Sequence, residues 1–234
     1  MSGDLLIIVP SRGRPQNIAR LLACTHDLRR LQTHVHVCVD DDDPALEDYK
    51  RVMARHAGDG DRLDTGPRLS FTAWTNRIAS ENVAHYRCLA SFGDDHVPRT
   101  RGFDKALVEA CTKDGPAIAY PWDGMREDIP EAVVVSSEIV AALKWLHNPD
   151  LAHYYVDDTW ADLGRAAGCL RYLRAVAVDH AHPLRGAGAG DDTYRAASEH
   201  IGPDKAAYQA WRRDQMAAYV ATVLAVRERA LQPA

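Results

Sequence analysis

Residues 5–9 read Leu-Leu-Ile-Ile-Val without a polar side chain, and Pro10 stops the run. So short an apolar run is a strand buried on both faces, the signature of a parallel sheet covered by helices. The next segment fits. Pro15 suits a first helical position, and Ile18, Leu21, Leu22, Thr25 and Leu28 form one helical stripe.

The alternation continues along the chain. Strands are expected at His34–Val39, Tyr86–Phe92, Ala117–Tyr120, Ala132–Val135 and Leu170–Val178, with at most one short strand between Gly58 and Pro67. Helices are expected from Asp43 (as N-cap, with Pro44 at N1) to about Arg55, from Ser70 to Val83, and from Gly102 to Cys111. Further helices run from Ser136 or Ser137 to Leu146, from Asp157 or Asp158 to near Gly168, and as one long amphipathic helix from Pro203 to about Leu231. This order predicts an α/β fold with a mostly parallel, Rossmann-like central sheet flanked by helices. Residues 1–200 form the domain, and 201–234 a helical extension packed on it.

Several function classes drop out. A net charge of −5 excludes a polybasic protein held to nucleic acid by bulk charge. No apolar run is long enough for a membrane span, and Met1-Ser2-Gly3-Asp4 carries no basic leader, so a cytoplasmic protein is expected. Five scattered cysteines, without a CxxC pair, suit a reducing compartment and no zinc ribbon.

In open α/β sheets functional groups collect at the carboxyl ends of strands. Four polar clusters fall at such ends here. In Gly93-Asp94-Asp95-His96 two adjacent carboxylates repel each other, and a hard divalent cation would relieve that and bridge to a diphosphate; a plain turn into the next helix is the simpler alternative. His180 and His182 share one face of an extended segment and can ligate Mn²⁺. In the acidic run 40–43, Asp40 and more weakly Asp42 stand where a base or ribose would be hydrogen-bonded. Ser11, Arg12 and Arg14 offer backbone N–H groups and guanidinium forks to a phosphate or base, without Walker A or GxGxxG spacing. Asp157 and Asp158 open a helix, where one can cap and the other act as general base. Trp122, in a turn at a strand end, can stack on a sugar or base. No nucleophile motif is present.

Taken in order, these segments resemble a family. Ile7-Ile8-Val9-Pro10-Ser11-Arg12-Gly13-Arg14-Pro15 resembles the opening of the GT-A-fold nucleotide-sugar glycosyltransferases, family-2-like, and among them the small members of tailed bacteriophages. Asp40 matches the family's nucleotide-binding acid, and Gly93-Asp94-Asp95-His96 stands where its Asp-x-Asp metal motif lies. Asp157-Asp158 stands at its catalytic-base pair, and His180-Ala181-His182-Pro183 at a late metal histidine. The set spans about residues 4 to 195.

The resemblance implies transfer of a sugar from a UDP- or GDP-sugar to an acceptor hydroxyl with inversion. Mn²⁺ or Mg²⁺ would be held by Asp95 with His180 or His182, and Asp158 is preferred over Asp157 as base. Pro10, Ser11, Arg12, Arg14, Asp40, Asp42, Asp94 and Trp122 would line the donor site. The chain departs from the family in having Gly93 for the first acid of Asp-x-Asp and Asp-Asp for Glu-Asp. The acceptor is open among a protein, a modified nucleic-acid base and a glycan, and the last helix offers a homodimer surface. Two other readings compete. One is an inactive sugar- or nucleotide-binding, virion-associated module. The other is a sugar nucleotidyltransferase, which the single Gly13 fits poorly.

Overall fold

The structure, a computed structural model, describes residues 3–181 and 197–232. The first half alternates strand and helix: β1 (Gly3–Pro10), α1 (Pro15–Leu28), β2 (Thr33–Asp40), α2 (Leu46–His56), β3 (Arg62–Gly66), α3 (Phe71–Asn82) and β4 (Tyr86–Ser91). Then come β5 (His96–Pro98), α4 (Phe103–Thr112), β6 (Ile118–Trp122), β7 (Val133–Ser136), α5 (Ser137–Leu143), α6 (Val156–Ala166) and β8 (Leu170–His180). Two helices close the chain, α7 (Ile201–Asp214) and α8 (Met216–Leu231).

The eight strands lie in the order β3-β2-β1-β4-β7-β6-β8-β5. β1 is parallel to β2 and β4, β2 to β3, and β6 to β8. β7 runs antiparallel between β4 and β6, and β5 antiparallel to β8. The fold is thus the α/β, GT-A-like sheet expected, with one internal strand reversed.

The unbroken apolar run of β1 divides between two cores. Leu6 and Ile8 join the layer with α3, α5 and α6, while Leu5, Ile7 and Val9 join the layer with α1, α2 and α4. Both faces are therefore covered, which is why no polar residue interrupts the run. Tyr208, Trp211, Val223 and Val226 of α7 and α8 enter the first of these cores.

Some expected boundaries move. The single long C-terminal helix is two, broken at Gln215, whose φ of −124° leaves the helical region without a Gly or Pro to mark it. α2 begins at Leu46 rather than at Pro44. Asp43 instead accepts from the Ala45 N–H at 2.7 Å, spending its side chain on the turn before the helix. α5 stops at Leu143 because Lys144 turns left-handed, at φ 65°. β8 runs on to His180, because the short strand His96–Pro98, expected to be a turn, pairs with its end. No described helix is long and apolar enough to cross a membrane.

Candidate active site

The carboxyl ends of β1, β2, β4, β6 and β8 lie along one edge of the sheet, since β6 regains the β4 direction through β7. The turn after β1 is held by acids from two other strand ends. Ser11 Oγ donates to Asp94 Oδ2 at 2.6 Å and lies 2.7 Å from the Tyr49 hydroxyl, which accepts the Arg14 N–H at 2.8 Å. Gly13, at φ 70°, donates its N–H to Asp43 at 2.9 Å. Arg14 and Asn17 approach the other Asp94 oxygen at 3.4 Å. Burial pushes the Asp94 carboxyl up to about 6 against the opposing pull of Arg14. Asp94 thus orders the turn.

Asp40 is buried and fully engaged. Its Oδ1 accepts from Trp74 Nε1 at 2.7 Å and from the Leu69 N–H at 3.2 Å, and its Oδ2 pairs with Arg12 at 3.0 Å. Arg12 also pairs with the exposed Asp42 at 2.6 Å. Pro10 closes β1 opposite Cys38, and half-buried Trp122 closes β6 opposite Ala177, where β8 bulges.

The metal-type cluster draws on the start of β5, the segment leading into β7 and the end of β8. His96 and His180 face each other in register, their rings stacked at 4.4 Å. Glu131 precedes β7. Because β7 runs backwards, its start, not its end, stands at the site. Ligand atoms of His96, Glu131 and His180 lie within 4.8 Å of one another. His180 reaches Glu131 with Nδ1 at 2.5 Å and Asp95 with Nε2 at 3.4 Å. Although burial opposes its charge, these two carboxylates lift His180 to about 10. Burial presses Glu131 upward, but the hydrogen bond and charge of His180 hold it below its usual value.

His96 is buried and neutral, driven to about 4 by burial and by the charge of His180. Its Nδ1 accepts the Gly93 N–H at 2.7 Å, which puts the ring proton on Nε2, a buried atom with no hydrogen-bond partner. A Cβ on residue 93 would stand 2.7 Å from Asp95 Oδ1 and 2.9 Å from His96 Nδ1, so Gly93 is a steric requirement here. Asp123 supports the cluster from the end of β6. Its Oδ1 accepts the Met125 and Arg126 N–H groups, burial raises its carboxyl, and its carbonyl accepts the His180 N–H at 3.0 Å.

Two carboxylates and imidazole nitrogen suit a hard-to-borderline divalent cation such as Mn²⁺ or Mg²⁺. The buried His96 Nε2–H is a donor, suited to an anionic oxygen beside the ion rather than to the ion itself, and the Asp95, Glu131 and His180 set fits the group.

Asp157 and Asp158 occupy the first turn of α6, after Tyr155 turns left-handed at φ 64°. Burial pushes the Asp157 carboxyl up to about 7, with Asp158 and Glu131 adding to the shift. Burial also raises Asp158, but Arg126 opposes it. Beyond burial, Asp157 thus feels its neighbour Asp158 first and Glu131 second, while Asp158 feels Arg126 first and Asp157 second.

The structure thus brings Asp95 and His180 together, with Asp157 within electrostatic reach of Glu131, and Ser11, Arg14 and Asp94 to a second place beside them. His182 lies outside the described residues. Glu131 and Asp123 escaped the sequence reading. Neither belongs to a motif, and Glu131 is legible only once β7 is known to run antiparallel.

No family model matches the sequence, and no curated protein matches it. Solved structures do match. The mannosyltransferase PcManGT from Pyrobaculum calidifontis, in complex with GDP-Man and Mn²⁺, aligns at TM-score 0.60 and 12% identity over 100% of this chain and 77% of its own. S. aureus TarS 1-349 in complex with UDP aligns at 0.57 and 10% over 75% of this chain and 59% of its own, so this chain spans little more than half of it. The catalytic domain of Drosophila beta1,4galactosyltransferase 7, complexed with xylobiose, aligns at 0.51 and 13% over 76% and 71%. The fold is that of these GT-A glycosyltransferases.

Proposed function

We propose that this chain is a metal-dependent glycosyltransferase that moves a sugar from a nucleotide-diphosphate sugar to an acceptor hydroxyl with inversion. The carrying observation is the convergence of Asp95, His180 and Glu131 beside Asp157 at the carboxyl edge of the sheet. Asp95, Glu131 and His180 would hold Mn²⁺ or Mg²⁺, with His96 beside them. When bound, the ion would supply positive charge against the diphosphate leaving group.

The chain's own groups do the rest. The Ser11–Arg14 turn, ordered by Asp94 and Asp43, presents backbone N–H groups and Arg14 to phosphate oxygens. Asp40 is buried and already accepts from Trp74, Leu69 and Arg12, so it shapes the nucleoside pocket, with Arg12 and Asp42 at its rim to meet the base. Trp122 is the stacking face. Asp157, poised at about 7, takes the proton from the acceptor hydroxyl. We take Asp157 ahead of Asp158 as the base, because burial, Asp158 and Glu131 together bring its carboxyl to about 7, whereas Arg126 opposes the rise of Asp158. A single displacement driven by that base inverts the anomeric carbon.

The donors named with the matching structures, GDP-Man and UDP-GlcNAc, support a GDP- or UDP-sugar here. The run from Ile7 to Pro15 supports placing the chain with the small family-2-like enzymes of bacteriophages, working in a host cytoplasm.

A thermal-shift panel of UDP-, GDP-, dTDP- and CDP-sugars, each with Mn²⁺ and with EDTA, tests the reading. Binding to the native state raises the midpoint by mass action. A shift with one nucleotide class that needs metal is expected, followed by donor hydrolysis. A folded chain that responds to no donor overturns it in favour of a binding module with another ligand.

A further inference from the structure

Asp204, in the first turn of α7, is 3% exposed. Its carboxylate does not face the candidate site. It accepts three consecutive backbone N–H groups, from Ala152 at 2.9 Å, His153 at 2.8 Å and Tyr154 at 2.7 Å. One helical turn further on, Tyr208 stacks on Tyr155 at 5.2 Å and 17°, and its hydroxyl donates to Asp162 of α6 at 2.6 Å. Arg212 pairs with that same Asp162 at 2.8 Å. Between these anchors the chain passes through the left-handed Tyr155 and delivers Asp157 and Asp158.

The α6 start has no side-chain cap of its own. A non-glycine residue at positive φ is held only by its surroundings. Those surroundings come from α7, about 50 residues later in the chain. The nearby Ala152 carbonyl accepts the Thr72 N–H at 3.1 Å, so the clamped segment also meets the start of α3.

We propose that Asp204, backed by Tyr208, is the positioning residue of the transfer reaction: it fixes the 152–155 loop and through it the aim of the Asp157–Asp158 pair. The proposal rests on the glycosyltransferase reading. It makes the C-terminal helices part of the catalytic apparatus, although Asp204, Tyr208 and Arg212 stand outside the candidate site. A misplacement of about 1 Å in a reacting group costs about 100-fold in rate. Donor binding, built by the other strand ends, has no such dependence.

The test uses the full chain, with Asp204→Asn, which keeps the size but turns two donors toward the loop N–H groups, and Asp204→Glu, which keeps the charge. Three quantities are read: Mn²⁺-dependent UDP and GDP affinity by calorimetry, kcat and KM for donor hydrolysis, and amide exchange at residues 152–154. Asp204→Asn should lose about 100-fold in kcat with donor KM and nucleotide affinity within about threefold. Its 152–154 amides should exchange faster. Asp204→Glu should recover part of both losses, and it carries the test if Asp204→Asn does not fold.

Unchanged kcat overturns the proposal, as does a fall of kcat and affinity together. A wild-type chain that hydrolyses no donor defeats the glycosyltransferase reading instead. Amide exchange then decides the clamp separately, and unchanged protection at 152–154 in a folded variant overturns it.

Discussion

Gly93 donates its backbone N–H to Nδ1 of His96 at 2.7 Å, and the His96 ring occupies the space that a side chain on residue 93 would need. The first acid of an Asp-x-Asp motif has no room here. The imidazole folded back from three positions later has taken its place.

Gly93→Ala is therefore expected to push Asp95 and His96 apart. Overpacking of this kind costs about 1–3 kcal/mol, read as a lower melting temperature. Mn²⁺ affinity, measured by calorimetry, should fall about tenfold or more, since ligand geometry sets metal affinity. A variant with normal stability and Mn²⁺ binding would show that the ring and carboxylate can move aside.

His180 holds a proton up to about 10 because Asp95 and Glu131 stabilise it over the cost of burial. A metal ligand must be neutral imidazole, so binding has to expel that proton. The sign follows: apparent Mn²⁺ affinity rises with pH, by up to about tenfold per unit below 10. Calorimetry in two buffers of different ionisation heat should count about one proton released. His180→Ala and Glu131→Gln should each abolish the metal-dependent thermal shift.

The proposed base, Asp157, can accept a proton only when ionised, and burial sets that transition near 7. Donor turnover should climb with pH below 7 and level off above it. Asp157→Asn should lower kcat by about 10²–10⁴-fold while Mn²⁺–nucleotide binding persists. Asp158→Asn is the control, with a smaller loss expected because its carboxyl is tied electrostatically to Arg126. The reverse order of losses would move the base to Asp158.

His147 is fully enclosed, its Nε2 lying 2.8 Å from Ser91 Oγ, and burial drives it to about 3. An unfolded histidine titrates near 6.5. Between those values the unfolded chain binds the extra proton, so this residue's contribution to stability falls as pH drops from 6.5 toward 3. His147→Gln should remove about one proton from the pH dependence of urea unfolding across that window. An unaltered slope would mean that the buried ring is already protonated or solvated.

Much of this was legible. The apolar run of β1, the proline at the start of α1 and the acids closing β2 and β4 each state their own position. Strand ends collect chemistry because parallel strands leave their carboxyl ends on one edge. What stayed hidden depends on chain direction and distance. Val133–Ser136 reads as a strand in either direction, and only its reversal carries Glu131 to the site. His96-Val97-Pro98 has the composition of a turn and becomes a strand by pairing with β8. Asp94, expected to line the donor site, holds Ser11, and Asp43, expected as an N-cap, holds the Gly13 and Ala45 N–H groups. Asp204 lies in an ordinary helix start, and its work is done about 50 residues earlier in the chain.

The pairing of β5 with β8 gives the two stacked histidines a common rung, His96 opposite His180. Their separation is inherited from main-chain pairing rather than from a loop, so a cation held there would meet a cradle already in register. Chelation should then empty the proposed centre without loosening the protein around it. Control by metal supply would act here as a reversible on–off setting of a standing site, in contrast to small domains that must refold each time their ion returns.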